Sequence, residues 1–184
     1  MDNGASSYRR FLNGEDEGLI EIVKEYKDGL ILYLNGYVSN LYIAEELTED
    51  TFFRLITKKP RFSGKSTFKS WLYAIGRNVA IDFIRHDSKH INAPIEDMEN
   101  YLGDECSLEE SYIKEERKIA VYKALTGLMP DYRNVLWLVY FEGFSNKETA
   151  MILKKSDRQI KNLLYRAKQS LKSILEKDGF HYEK

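Results

Sequence analysis

The densest group of side chains able to do chemistry lies near the C-terminal end: Arg158, Gln159, Lys161, Asn162, Tyr165 and Arg166. Cationic groups pair with phosphates, amides match the donor and acceptor edges of bases, and an aromatic body packs beside them. A second group alternates aromatic and cationic residues, with Phe62, Phe68, Trp71 and Tyr73 set among Lys65, Lys69, Arg77 and Arg85. Rings that stack on unpaired bases beside cations that track phosphates suit single-stranded nucleic acid. Half of these aromatics belong to a core, and Trp71, on the same helical side as Phe68 and Ile75, is expected to be buried. A third group is acidic, Glu45, Glu46, Glu49 and Asp50, just before an apolar end at Phe52, Leu55 and Ile56. A solvated helix face accounts for those charges.

None of these groups is equipped for catalysis. Asp82 and Asp87 stand five apart, off a common helix face, and no Ser–His or Cys–His pairing suggests itself. The tripeptide Gly64-Lys65-Ser66 resembles the end of a phosphate loop, but the glycine five positions upstream is missing and no strand precedes it. Three scattered histidines (His86, His90, His181) and the single Cys106 offer neither a metal site nor a disulfide framework. The expectation is a protein that is not an enzyme and needs no metal, cofactor or small-molecule substrate.

Charge is sharply segregated along the 184 residues, although 28 Lys and Arg nearly balance 29 Asp and Glu. Residues 1–56 carry 5 basic and 11 acidic side chains, and residues 57–94 carry 8 and 2. Residues 95–116 carry 1 and 9, and residues 117–184 carry 14 and 7. Two cationic blocks separated by an anionic one are what a polyanion-binding protein with two contact surfaces shows. The 24 aromatics argue against wholesale disorder. The longest apolar run, Val135 to Phe141, is far short of the roughly 18 residues of a membrane helix. The first residues lack the basic-then-apolar layout of a secretory signal, so a soluble, cytoplasmic protein without membrane insertion is expected.

The elements that position these groups read as helices, and no long alternating strand pattern competes. Helices are expected over Leu19–Lys27 with Gly29 as a stop, over Leu30–Tyr42, over Ile43–Lys59 ahead of Pro60, and over Thr67–Arg85. Periodicity breaks over residues 86–111, through Asn92, Pro94, Gly103 and the acidic run, which reads as a linker. Helical pattern resumes at Tyr112 and continues to Leu128, then over Asp131–Glu142, closed by Gly143. Ser145 and Glu148 form a capping-box pair, and Ser156 caps a last helix reaching about Lys177. Ala150 at the inter-helix contact, the interval Lys154–Asp157, and Leu153, Ile160 and Leu163 facing inward form a helix–turn–helix pattern, with Lys154 where a turn glycine is customary. The fold class is all-α: two small helical domains, residues 1–90 and 115–184, joined by an acidic flexible linker, 91–114.

These constellations, in this order, resemble the extracytoplasmic-function group of RNA polymerase sigma factors over about residues 18–90 and 117–177. The segment Ala44–Ile56 is similar to the helix that binds the polymerase clamp, which implies polymerase contacts by Glu45, Glu46, Leu47, Glu49, Asp50 and Phe52. The segment Phe62–Arg85 resembles the loop and helix that melt and read the minus-ten element. The resemblance assigns that task to Ser63, Lys65, Ser66, Phe68, Lys69, Tyr73, Arg77, Asn78 and Arg85, with Phe68 and the loop capturing an unstacked base. Residues Ala124 to Lys172 resemble the domain that reads the minus-thirty-five element, with Lys161, Asn162 and Arg166 near base edges and Arg158 near phosphate. The chain has Glu46 and Glu49 where the family usually has Asp and Gln, and Arg158-Gln159 where Gly-Thr is common.

The resemblance implies a dissociable subunit whose partners are core RNA polymerase and promoter DNA, both duplex and melted. An anti-sigma factor is implied by the resemblance alone. An alternative reading is a helix–turn–helix regulator that binds duplex DNA without polymerase, which has no need of aromatic–basic alternation beside an acidic helix. The net charge of the linker suggests that it follows the RNA exit path as a nucleic-acid mimic.

Overall fold

The computed structural model describes residues 3–86 and 121–177, all of whose regular structure is helical. The first half comprises α1 (Asn3–Leu12), α2 (Glu17–Val38), α3 (Leu41–Lys58) and α4 (Phe68–His86). The second half comprises α5 (residues 121–126), α6 (Pro130–Leu136), which continues into a π-helical turn (Trp137–Phe141), α7 (Asn146–Leu153) and α8 (Asp157–Lys177). The expected linker 91–114 lies outside the described residues, as do the expected helical start at Tyr112 and Cys106.

Helix α2 is the central post. Ile22, Leu30, Ile31, Tyr33, Leu34 and Val38 are wholly excluded from solvent, more than one face of a surface helix supplies. Each such side chain contributes about 1.5–3 kcal/mol by burial. Gly29 does not stop this helix. It lies where a Cβ would meet the Tyr73 hydroxyl at 2.6 Å and the Glu142 carboxylate at 2.9 Å, so its smallness serves a close approach from the second half of the chain. Gly36, one heptad on, is pressed by Asn134 in the same way, its missing Cβ falling against Asn134 Oδ1. The chain then turns at Ser39, which takes a left-handed conformation, and Asn40 caps α3 by accepting the Ile43 N–H at 3.2 Å.

Helix α1 was not anticipated in sequence. It closes over the first half through Tyr8 and Phe11, packed closely on α2 at Gly18. Arg10 ties it to the connecting turn through Glu15 at 2.9 Å and to α2 through Glu21 at 2.8 Å.

The two halves are not separated. Buried side chains from α1–α4 and from α5–α8 form one continuous apolar core, in which Tyr73 of α4 meets Phe144 edge-on at 5.2 Å. Arg133 straddles the boundary. Its guanidinium donates to the carbonyls of Leu125, Thr126 and Leu128 within its own half and to Ser39 Oγ at 2.9 Å in the other.

Candidate nucleic-acid interface

The helix–turn–helix is built by two reciprocal caps. Ser145 Oγ accepts the Glu148 N–H at 3.3 Å while the Glu148 carboxylate accepts the Ser145 N–H at 3.0 Å, which fixes the start of α7. Burial pushes the Glu148 carboxyl up, but hydrogen bonds from Ser145 and Thr67 and the charge of Lys69 outweigh it and hold the group below its usual range. Lys154 ends α7 in a left-handed conformation, φ 54°, the geometry that favours glycine at this turn. Ser156 and Gln159 repeat the capping box at the start of α8, with Gln159 Oε1 accepting the Ser156 N–H at 2.7 Å.

That second cap revises one expected base reader, because the Gln159 carbonyl oxygen is committed to the backbone. Arg158, Lys161, Asn162, Tyr165 and Arg166 are exposed on one side of α8, opposite the buried Ile160, Leu164 and Ala167. Tyr165 is 67% exposed, so the face is open along its length. Lys168 extends it and lies 5.0 Å above the Tyr140 ring, a contact that sequence spacing did not signal.

The start of α4 differs from expectation. Phe68 is wholly buried, its ring 5.4 Å from Tyr8, 5.9 Å from Tyr26 and 5.4 Å from Trp71, so it supports the loop rather than stacking on a base. Tyr73 is equally inaccessible, and its hydroxyl is pushed well above its usual range by burial, the nearby Glu142 charge and a hydrogen bond to Glu142. Phe62 and Trp71 are both half-buried, Trp71 against the expectation that it is buried, with Phe62 edge-on to Phe68 at 5.7 Å and 5.2 Å from Trp71. The loop is anchored from α1, where the Tyr8 hydroxyl donates to the Pro60 carbonyl at 2.8 Å. Ser63 and Lys65 are exposed on it, and Ser66 is half-buried. Arg85 is exposed at the far end of α4, whereas Arg77 and Asn78 are half-buried, Arg77 hydrogen bonded to Tyr37.

Lys69 is already occupied. Its ammonium lies 2.8 Å from Glu142 Oε2, donates to the Glu142 carbonyl at 3.0 Å, and sits 5.1 Å above the Phe144 ring. The Glu142 carboxylate also accepts the indole N–H of Trp137 at 3.1 Å. Two residues before Lys69, the hydroxyl of Thr67, which caps α4 through the Ser70 N–H at 3.3 Å, donates to Glu148 Oε1 at 3.0 Å.

On α3, the six acidic and apolar residues expected to face a partner divide. Leu47 and Phe52 are buried in the core, because they fall on the side that packs on α2 and α4. Glu46, Glu49 and Asp50 are exposed and Glu45 is half-buried. The apolar part of the outer face is instead Tyr42, Phe53 and Ile56, which are 69%, 60% and 42% exposed. Their spacing with Glu46 and Glu49 is helical, a pattern that was readable but was assigned to the inner neighbours. Tyr42 hydrogen bonds to Glu46, whose carboxylate raises its hydroxyl above the usual value.

Two family models match the chain, Sigma-70 region 2 over residues 22–90 and Sigma-70 region 4 over residues 118–171. The chain is 30% identical over 143 residues to a protein named a probable RNA polymerase sigma-C factor from Mycobacterium bovis, covering 78% of this chain and 76% of that one. The chain belongs to the RNA polymerase sigma factors, in their extracytoplasmic-function group. It is 28% identical over 167 residues to the extracytoplasmic-function sigma factor BldN of Streptomyces coelicolor, covering 90% of this chain but only 63% of that relative's length. Its fold resembles that of CnrH, solved in complex with the cytosolic domain of CnrY, with a TM-score of 0.64, 19% identity, and 96% of each chain covered. Among the described residues of this sigma factor, no group of three or more ligating side chains is placed to hold a metal ion. No described helix is long and apolar enough to cross a membrane.

Proposed function

We propose that this sigma factor binds core RNA polymerase and directs promoter-specific initiation, with residues 1–90 docking on polymerase and engaging the minus-ten element and residues 115–184 reading the minus-thirty-five element. The observation that carries the reading is the exposed face of α8, where Arg158, Lys161, Asn162, Tyr165 and Arg166 stand free on a doubly capped helix–turn–helix. A rigid helix presenting cations and one free amide is the geometry that enters a major groove, the cations holding phosphate and the Asn amide pairing with a base edge. The outer face of α3 supports polymerase docking through Tyr42, Glu46, Glu49, Phe53 and Ile56, an apolar strip rimmed by carboxylates. At the minus-ten element, Ser63, Lys65 and the half-exposed Phe62 form the accessible tip of the loop, while Phe68 and Tyr73 hold it from within.

The role is one of binding. Phosphodiester synthesis belongs to the polymerase, and the chain acts inside the cell on chromosomal promoters. The sigma factor RpoE of Bartonella quintana, which shares this fold, was solved in complex with the anti-sigma factor NepR, and a partner of the same class is expected for this chain. The acidic segment 91–114 joins the two readers in the chain. Run-off transcription with purified core polymerase on a genomic fragment library tests the reading. Transcripts with defined starts that depend on the added chain are expected. Duplex binding by the chain, with no transcript from any template and no association with core, favours the alternative of a polymerase-independent regulator and overturns it.

A further inference from the structure

We infer that the carboxylates of Glu142 and Glu148 act as an internal stand-in for DNA phosphate at the start of α4, holding the free chain closed until polymerase or melted DNA displaces them. This rests on the sigma-factor reading above. Glu142 is the keystone, since its side chain is 9% exposed and it receives Lys69 and Tyr73 from α4 and Trp137 from its own half. Glu148 completes the contact by accepting from Thr67, the residue that caps α4. A capped helix start carrying a lysine is a place where nucleic-acid phosphate is ordinarily held, and here two carboxylates fill it.

The closed form is written into the sequence at positions with no other evident use. Gly29 and Gly36, on one side of α2, leave room for Glu142 and Asn134, and two glycines inside a long helix each cost about 1 kcal/mol against alanine. Arg133 adds a hydrogen bond to Ser39 across the same boundary. The closed form is also the wrong shape for promoter reading. Elements about two helical turns apart are separated by roughly 70 Å. A compact body of this chain's length has a radius of gyration of about 16 Å and is roughly 40 Å across. The α8 face is unengaged in this form, whereas at the start of α4 Lys69 and Thr67 are held by Glu142 and Glu148, so the chain must part along that contact before both readers can be used.

Two full-length variants test this. Glu142→Gln removes the charge while keeping the shape. Gly36→Cys with Asn134→Cys, in a Cys106→Ser background, allows the halves to be bridged, because Asn134 Cγ lies only 3.2 Å from where the Gly36 Cβ would stand. The probes are a labelled single-stranded minus-ten oligonucleotide and a minus-thirty-five duplex, both taken from a promoter mapped with the wild-type chain. If nine-tenths of the free chain is closed, Glu142→Gln binds the single strand about tenfold more tightly without polymerase, with duplex binding unchanged. The oxidised double-cysteine chain loses single-strand binding and run-off transcription, and both return on reduction. Single-strand affinity that Glu142→Gln leaves unchanged, or a bridged chain that binds and initiates as well as its reduced form, overturns the inference. Should Glu142→Gln fail to fold, the bridged chain decides alone. A wild-type chain that never initiates with core polymerase contradicts the sigma reading instead, and is seen before either variant is made.

Discussion

The outer face of α8 and the start of α4 carry the same kinds of side chain, yet the structure treats them oppositely. On α8 every expected contact except the Gln159 carbonyl points into solvent, and the buried side is a separate stripe of Ile160, Leu164 and Ala167. On α4 the aromatics and the lysine are consumed, Phe68 and Tyr73 by the core and Lys69 by Glu142. A two-helix reader needs only one amphipathic helix held by its neighbour, so binding face and packing face separate cleanly. A loop that must hold a base needs support from below, and aromatic residues near it divide between platform and foundation. Residue type alone does not tell the two apart.

Substitutions distinguish the buried support from the open face. The largest effect is expected for Phe68→Ala, which opens a cavity among Tyr8, Tyr26 and Trp71 and costs about 3–5 kcal/mol of stability. A thermal melt shows it as a large fall in midpoint. A melt identical to wild type with only weaker DNA binding makes Phe68 an exposed stacking residue after all. Next is the open reader. Asn162→Ala and Arg166→Ala should each weaken binding to the minus-thirty-five duplex by about 1–3 kcal/mol, with unchanged melting and unchanged single-strand binding. Arg158→Ala should weaken all duplexes alike and flatten the salt dependence by about one unit of slope.

On α3 the neighbours Phe52 and Phe53 make the same distinction within one dipeptide. Phe52→Ala should lower the melting midpoint, whereas Phe53→Ala should keep stability within about 0.5 kcal/mol of wild type and weaken association with core polymerase. Fluorescence-detected titration against core separates the two. The smallest effects lie in the caps. Ser145→Ala should cost about 1 kcal/mol, and Lys154→Gly should gain about 0.5–1 kcal/mol by relieving the left-handed lysine. Because the folded Glu148 carboxyl sits below its usual value near 4.5, its contribution is complete above that pH. It fades as the pH falls through the lower folded value. The difference between wild type and Ser145→Ala in denaturant melts should therefore shrink on acidification below that usual value.

Much of this was legible in the chain itself. The all-helical class, the Ser145–Glu148 cap and the span of α8 follow from local spacing, because caps and amphipathic stripes are decided by residues within one or two turns. What was not legible depended on contacts distant in sequence. Gly29 looked like a helix stop because the groups it accommodates, Tyr73 and Glu142, lie 44 and 113 residues further along the chain. Phe52 and Phe53 differ only in which side of α3 meets α2 and α4. Helix α1 was missed because Tyr8 and Phe11 are few apolar residues in a polar stretch, and they gain their meaning only against Phe68, Trp71 and Lys59. The pressing of one half on the other, through Glu142 and Arg133, has no local signature at all.

On polymerase one chain is expected to read two separated stretches of a promoter, and footprinting the assembled complex tests this. Hydroxyl-radical and permanganate probing of chain, core polymerase and a mapped promoter should give two protected blocks about two helical turns apart, with reactive thymines only in the block nearer the start. Protection of a single block, identical with and without polymerase and with no reactive thymine, contradicts it.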